Sequence, residues 1–230
     1  MSISVFLPTR KGSQRVLNKN TRPFAGYSGG LLELKLRQLS KLDVDEVILS
    51  TNDESSINLA EKFIKNFPNL RIDIRPDHLA SSNTNLTDLI AYAAQISKCD
   101  HILWTHVTSP IVNEKTYLKA IEKYLTSLDD GFDSLMSVTT FKNFLWNIES
   151  NDIINRVEGS TKRWPQTQDL ENLFEINSAI FIASRKIYEE NLDRLGKKPF
   201  LFEMDKIEAI DVDWEEDFKI AEAVYEKYYK

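Results

Sequence analysis

EVILSTNDESSINLAEKFIKNFPNLRIDIR, residues 46–75, carries a strand, a helix and a second strand in quick succession. Glu46–Thr51 and Arg71–Arg75 read as short strands rich in Val, Ile and Leu. Between them Ile57, Ala60, Ile64 and Phe67 recur at helical spacing behind the capping candidates Asn52 and Asp53. Strands joined through a helix of that length lie parallel in one sheet.

The same alternation extends both ways over the first 140 residues. Ile3–Leu7, His101–Thr105 and Ser134–Thr139 read as further strands. Leu86, Leu89, Ile90, Ala93 and Ala94 form a helical face after Asn85, with Asp88 three residues on. Tyr117, Leu118, Ile121, Leu125 and Leu128 form another after Asn113. The expectation is an α/β fold, a mainly parallel sheet with helices on both faces. The pattern changes beyond residue 140. Phe144–Glu149 and Ile153–Val157 suggest a hairpin about Ser150-Asn151-Asp152. A polar stretch from Glu158 to Glu171 leads to a strand near Ala179–Ala183. This region reads as an excursion from the main sheet, a lid or an oligomer contact. A last amphipathic helix runs from Trp214 to Tyr228, with Phe218, Ala221, Val224 or Tyr225, and Tyr228 on one face. Without repeats or linkers, a single domain over 1–230 is expected.

The bulk numbers narrow the function classes. With 42% hydrophobic and 28% charged residues the chain reads as a globular soluble protein. Its N-terminus does not resemble a secretory signal, and no apolar run nears the roughly 20 residues of a membrane helix, so the cytoplasm is the expected compartment. The single cysteine, Cys99, excludes an internal disulfide and a cysteine-rich metal site. A net charge of −6 argues against a general nucleic-acid binder. Yet residues 1–40 hold seven Lys/Arg against one acid, whereas residues 201–230 hold ten Asp/Glu against four Lys. Such a basic head and acidic tail are either two solvated faces or the phosphate-binding and metal-binding halves of one site.

Ligands of open α/β sheets collect at the carboxyl ends of the strands, which directs attention to the loops Pro8–Asn20, Asn52–Ser55, Pro76–Asn85, His106–Val112 and Asp211–Asp213; three stretches there carry candidate chemistry. LPTRKGSQRVLNKN, residues 7–20, follows the first strand and sets Arg10, Lys11, Arg15 and Lys19 around Gly12 and Ser13. Backbone N–H groups of such a loop turn towards an anion whose charge the cations neutralise. Neither Walker A nor GxGxxG is present. In AIDVDWEEDF, residues 209–218, Asp211 and Asp213 alternate on an extended stretch, about 7 Å apart, and suit a shared hydrated Mg²⁺. The plainer reading makes Asp213 and Glu216 a capping box for the last helix. HVTSPIV, residues 106–112, offers His106, Thr108 and Ser109 at a strand end. A lone histidine there is more often a structural hydrogen-bonder than a catalyst. No Ser-His-Asp or Cys-His arrangement has supporting context.

Taken together, these segments resemble the acylneuraminate cytidylyltransferases, the CMP-sialic acid synthetases and their relatives for other nonulosonic acids and Kdo. The family's opening (I/L)PAR-x-GSK-x-x-P-x-KN is matched by LPTRKGSQRVLNKN, its STD-like turn by Ser50-Thr51-Asn52-Asp53, and its RP-x-x-LAS by Arg75 to Ser81. Its QPTSP-L-R is matched by residues 106–112, its NGAIY by Asn177 to Phe181, and its DIDT-x-x-D ending by Asp211 to Asp217. The resemblance implies a three-layer α/β/α nucleotidyltransferase fold, Rossmann-like, with a dimer-forming or lid insertion at about 141–176. It implies that CTP is joined to an acidic 2-keto-3-deoxy sugar, with Mg²⁺ as cofactor, in a homodimer with no nucleic-acid or membrane partner. Arg10, Gly12, Ser13, Lys19 and Asn20 would hold the nucleotide, and Arg75, Ala80 and Ser81 would meet its base. His106, Thr108, Ser109, Arg163, Gln166, Gln168 and Asn177 would lie on the sugar side. Asp211 and Asp213 would hold the metal, and Arg10, Lys19 and Asp211 would serve catalysis.

The chain departs from the pattern at Gln14, Leu17, His106, Val107, Val112 and Ser178, where the family has Lys, Pro, Gln, Pro, Arg and Gly. Its nucleotide and metal ends therefore stay nearer the pattern than its sugar end. A nucleotidyltransferase of another sugar or nucleotide, a glycosyltransferase using Asp211-Val212-Asp213 as a DxD, and a nucleotide-binding protein without turnover are the alternatives.

Overall fold

The computed structural model describes all 230 residues except 82, 158, 160 and 161. Part of the expected polar stretch 158–171 and one residue of the loop 76–85 thus lie outside the described residues. In chain order the elements are β1 (Ile3–Pro8), α1 (Gly30–Leu39), β2 (Glu46–Thr51), α2 (Glu54–Ile64), β3 (Leu70–Ile74), α3 (Leu86–Ile96), β4 (His101–Thr105) and α4 (Glu114–Asp129). There follow β5 (Ser134–Phe141), β6 (Trp146–Asn147), β7 (Asp152–Ile153), β8 (Leu173–Ser184), α5 (Arg185–Asn191), β9 (Pro199–Glu203) and α6 (Glu215–Tyr228). Seven strands form one sheet in the order β3-β2-β1-β4-β8-β5-β9. Only β8 runs antiparallel to its neighbours.

Alternation along the strands builds two apolar layers. Val5, Leu7, Val47, Leu49 and Leu103 face α1, α2, α4 and α6. Phe6, Ile48, Ile102 and Trp104 face α3 and α5. The expected three-layer α/β/α architecture is therefore present. Caps follow the sequence at three helices: Asp53, Asn85 and Asn113 each accept from backbone N–H groups of the first turn. Asn52 instead accepts from the Lys11 backbone N–H at 3.1 Å, tying the first loop to the end of β2.

Three of the expected elements differ from expectation. The capping box assigned to Asp213 and Glu216 is absent. Helix α6 starts one residue later, and the Asp217 carboxylate accepts from the backbone N–H groups of Asp213 at 3.1 Å and Trp214 at 2.7 Å. The Asp213 side chain is thereby left out of the cap. The last helix also leaves Tyr228 exposed rather than on its buried face. The expected hairpin at 144–157 shrinks to the two-residue ladder β6–β7, and strand β8 begins at Leu173, well before Ala179.

Strand β8 explains where the excursion leaves the sheet. Met136 pairs with Phe181, but Val138 pairs with Ile176, so Asn177 to Ile180 stand opposite Ser137 alone. Ser178 takes φ +58° in this bulge. A left-handed residue is where glycine is favoured, which accounts physically for a glycine at this place in the family pattern.

Candidate functional site

The topological switch of the sheet lies between β1 and β4, and a cleft of about 600 Å³ opens at their carboxyl ends. Its lining comes from the loop after β1 (Thr9, Arg10, Ser13, Gln14, Arg15, Lys19, Asn20), from Arg75 after β3, and from Trp104, His106 and Thr108 about the end of β4. Asp211 and Asp213 close one side. A second cleft of about 570 Å³ lies against β5 and β8, lined by Thr139, Thr140, Glu175, Asn177 and Lys206 among others. The two clefts share Ser178, Asp211 and Asp213.

Local chemistry fixes the first loop. Val16 is fully buried and anchors it in the core beneath α1. The Asn20 side chain donates to the Arg10 carbonyl, and the Asn20 carbonyl accepts from Leu32 of α1 at 2.8 Å. The basic head and the acidic tail meet here. Lys19 Nζ donates to the Val212 carbonyl at 2.7 Å and lies 3.7 Å from the Asp213 carboxylate, which also pairs with Arg15 at 3.0 Å. Arg22 forks onto Glu215 and lies over the Phe218 ring, fastening the same loop to the start of α6.

Residues 211–213 form no strand, yet they are held firmly. Val212 is fully buried, and its N–H donates to the Thr108 carbonyl at 2.8 Å. Burial raises the Asp211 carboxyl above the usual range, a hydrogen bond from Thr108 opposes this, and the charge of Asp213 adds to it. Burial lowers the Lys19 ammonium, and Asp213 and Asp211 pull it back. Burial pulls the Arg75 guanidinium down to about 10. His106 is driven to about 3 by burial and by the nearby cations Arg194, Lys19 and Lys35. Its Nε2 accepts from Trp104 Nε1 at 3.0 Å.

A polar, cation-lined cleft joined through two acids to a second cleft is suited to moving a phosphoryl-borne group between two substrates. The profile of the family described as "Cytidylyltransferase" matches residues 4–227. The chain belongs to the cytidylyltransferase family.

Two relatives match over nearly their whole length. Post-translational flagellin modification protein B of Campylobacter coli is 26% identical over 93% of this chain and 90% of its own. The pseudaminic acid cytidylyltransferase of Campylobacter jejuni is 25% identical over 95% of this chain and 94% of its own. Among solved structures, the 4-diphosphocytidyl-2C-methyl-D-erythritol synthase of Anaerococcus prevotii shares the fold. It has a TM-score of 0.67 at 14% identity, covering 96% of this chain and 97% of that one.

In this cytidylyltransferase Arg10, Ser13, Lys19, Asn20, Arg75, His106, Thr108, Asp211 and Asp213 all line the first cleft, and Asn177 lines the second. Asn177 accepts from Ser137 Oγ at 2.6 Å and donates to Thr139 Oγ1 at 3.1 Å. Gly12, Ala80, Ser81 and Ser109 stand outside the lining of both clefts. Gly12, at φ +80°, supplies the bend of the first loop. Ala80 ends a single 3-10 turn, Ser81 Oγ lies 3.2 Å from Thr84 Oγ1, and the buried Ser109 gives its carbonyl to Lys35. Arg163, Gln166 and Gln168 also stand outside both clefts, on the excursion. Arg163 lies over the Trp146 ring, and Gln168 donates to Gln166 at 2.5 Å. Sequence reading missed Thr9, Trp104, Leu86 and Lys206 as lining residues. Leu86 counts as a core residue by helical spacing, and Lys206 sits in an acidic run without a motif, so only Thr9, inside the first motif, carried a signal.

Proposed function

We propose that this cytidylyltransferase joins the CMP of CTP to an acidic nonulosonic sugar in the cytoplasm, releasing pyrophosphate. One observation carries the reading: two clefts of similar volume meet at Asp211 and Asp213, one rich in cations and the other polar. The first suits a nucleoside triphosphate, and the second suits a sugar whose carboxylate pairs with Lys206, the cation of its lining. The Campylobacter jejuni relative is named for pseudaminic acid, which supports that sugar class.

In the reaction a sugar hydroxyl gives up its proton to water while its oxygen forms the bond to the α-phosphorus. The bond from that phosphorus to the bridging oxygen breaks, and pyrophosphate leaves with its electron pair. Arg10, Arg15 and Lys19 neutralise the departing pyrophosphate. Asp211 and Asp213 are hard oxygen donors that fit Mg²⁺, and a carboxyl raised by burial and by a neighbouring acid is a site short of positive charge. Among the described residues no third acid, histidine or cysteine completes a cluster, so a bound ion would need further oxygens from substrate or water. When bound, the ion supplies positive charge at the α-phosphate. With a triphosphate present, Arg15 and Lys19 exchange Asp213 for phosphate oxygens. The proposal includes a homodimer formed through the excursion at 141–176, which brings Arg163, Gln166 and Gln168 towards the partner's sugar cleft.

The test is pyrophosphate release with CTP, Mg²⁺ and a panel of sialic, legionaminic, pseudaminic and Kdo-type sugars. Turnover with at least one of them is expected, and Asp211→Ala lowers it by about a hundredfold or more while CTP still binds. Tight CTP binding without release for any sugar refutes transfer. Near-normal turnover of Asp211→Ala removes it from the metal site.

A further inference from the structure

Two polar atoms at the floor of the nucleotide cleft are buried without a hydrogen-bond partner among the described residues: Thr9 Oγ1 and Arg75 Nε. Both residues are at least nine-tenths buried, and both line the cleft. They are neighbours, because one carbonyl serves both: Ser50 O accepts from the Thr9 backbone N–H at 3.0 Å and from an Arg75 terminal nitrogen at 3.0 Å. An unpaired buried hydroxyl or guanidinium N–H costs about 1–3 kcal/mol. Two of them on residues that line one cleft are the mark of a ligand-binding surface rather than of a packed core.

Their setting is held rigid. Ser50 Oγ and the Tyr92 hydroxyl both donate to the Asp73 carboxylate, at 2.8 and 2.9 Å. Asp73 supports the charge of Arg75 from beneath. Both atoms are buried, so meeting a base requires the two side chains to turn towards the cleft. Cytosine presents two adjacent acceptors, O2 and N3, whereas uracil carries a hydrogen on N3.

Resting on the cytidylyl-transfer reading, we propose that the Thr9 hydroxyl and Arg75 Nε are paired donors to the O2/N3 edge of cytosine, which makes Thr9 a specificity-determining residue. This chain has Thr9 where the family pattern has alanine.

Calorimetric titration of CTP and UTP, with Mg²⁺, into wild-type protein and into Thr9→Val and Thr9→Ser tests this, together with the thermal midpoint of each unliganded protein. Thr9→Val keeps the shape and removes the hydroxyl. It is expected to weaken CTP about five- to tenfold and to narrow the preference for CTP over UTP. Its thermal midpoint stays level or rises, because an unpaired buried hydroxyl has become a methyl. Thr9→Ser stays close to wild type in CTP affinity. CTP affinity within twofold of wild type in Thr9→Val overturns the proposal. So does a weakened affinity accompanied by a lower midpoint, since the hydroxyl is then structural. A wild-type protein that binds neither nucleotide overturns the cytidylyl reading itself, and the assignment of Thr9 with it.

Discussion

His106 is the residue at which chemistry and position diverge most. A histidine at the end of a strand in a cleft invites a role as proton carrier, yet burial and three nearby cations hold it at about 3. With Nε2 accepting from Trp104, the neutral ring keeps its proton on Nδ1. It is therefore a fixed hydrogen-bond donor through the whole working range. We expect the pH profile of kcat/KM between about pH 5 and 9 to have the same shape in wild type and in His106→Gln, with only its height lowered. A limb that disappears in the variant would show that the histidine titrates in function. The stability consequence has a definite sign. The folded value lies below the unfolded 6.5, so the unfolded chain binds more protons between those limits, and stability falls as pH drops through that interval. The sequence shows that a histidine stands here, but its neutrality comes from burial first and then from Arg194, Lys19 and Lys35, which are distant in the chain and close in space. Asp213 shows the same limit: its spacing allows a helix cap or a metal ligand, and the cap formed by Asp217 takes the first of these roles from it.

Among the elements, α1 shows what periodicity cannot reveal. All its residues but Arg37 are buried, so no amphipathic stripe marks it, and its entry depends on Gly30 at φ +65°. A Cβ there would lie 2.1 Å from the Arg22 carbonyl oxygen. Helices with one wet face and an Asx cap, α2, α3 and α4, are readable from sequence for the opposite reason. The buried charge of α1 is Lys35. Its Nζ donates to the carbonyls of Ser109 and Val112 and to the Tyr117 hydroxyl, at 2.8–3.0 Å, with no carboxylate partner among the described residues. Burial pulls it down to about 7, while three acceptors favour the charged form. Lys35 thus clamps the loop 106–112, whose Thr108 carbonyl holds Val212 between the two acids. Lys35→Met leaves three buried acceptors without their donor and is expected to lose about 2–4 kcal/mol in urea unfolding. At a temperature where the variant is folded, its requirement for Mg²⁺ should rise more than its KM for CTP. Equal changes in both would mean that the clamp supports the fold and not the acids.

At the scale of the molecule, the charge asymmetry of the sequence has become one site: Arg15, Lys19 and Arg22 of the head pair with Asp213 and Glu215 of the tail. The other large-scale feature is the excursion between β5 and β8. It exposes Ile148 at 89% and Trp164 at 65%, with Trp146 and Ile154 also open to solvent, as is Ile176 of the adjoining β8. Single exposed apolar side chains are ordinary, but several on one projecting segment mark an interface. A second copy of the chain is the partner proposed here, because it also gives Arg163, Gln166 and Gln168 a cleft to reach. Light scattering is expected to give twice the 26.6 kDa of one chain. Ile148→Lys with Trp164→Glu places two charges in an interface of the usual ~1,200–2,000 Å² and should yield monomers. Those monomers keep their affinity for CTP, whose cleft is built within one chain, and lose sugar-dependent turnover. A monomeric wild type, or a charged variant that remains dimeric, refutes the arrangement. Monomers with full turnover would show that the sugar cleft is complete in a single chain.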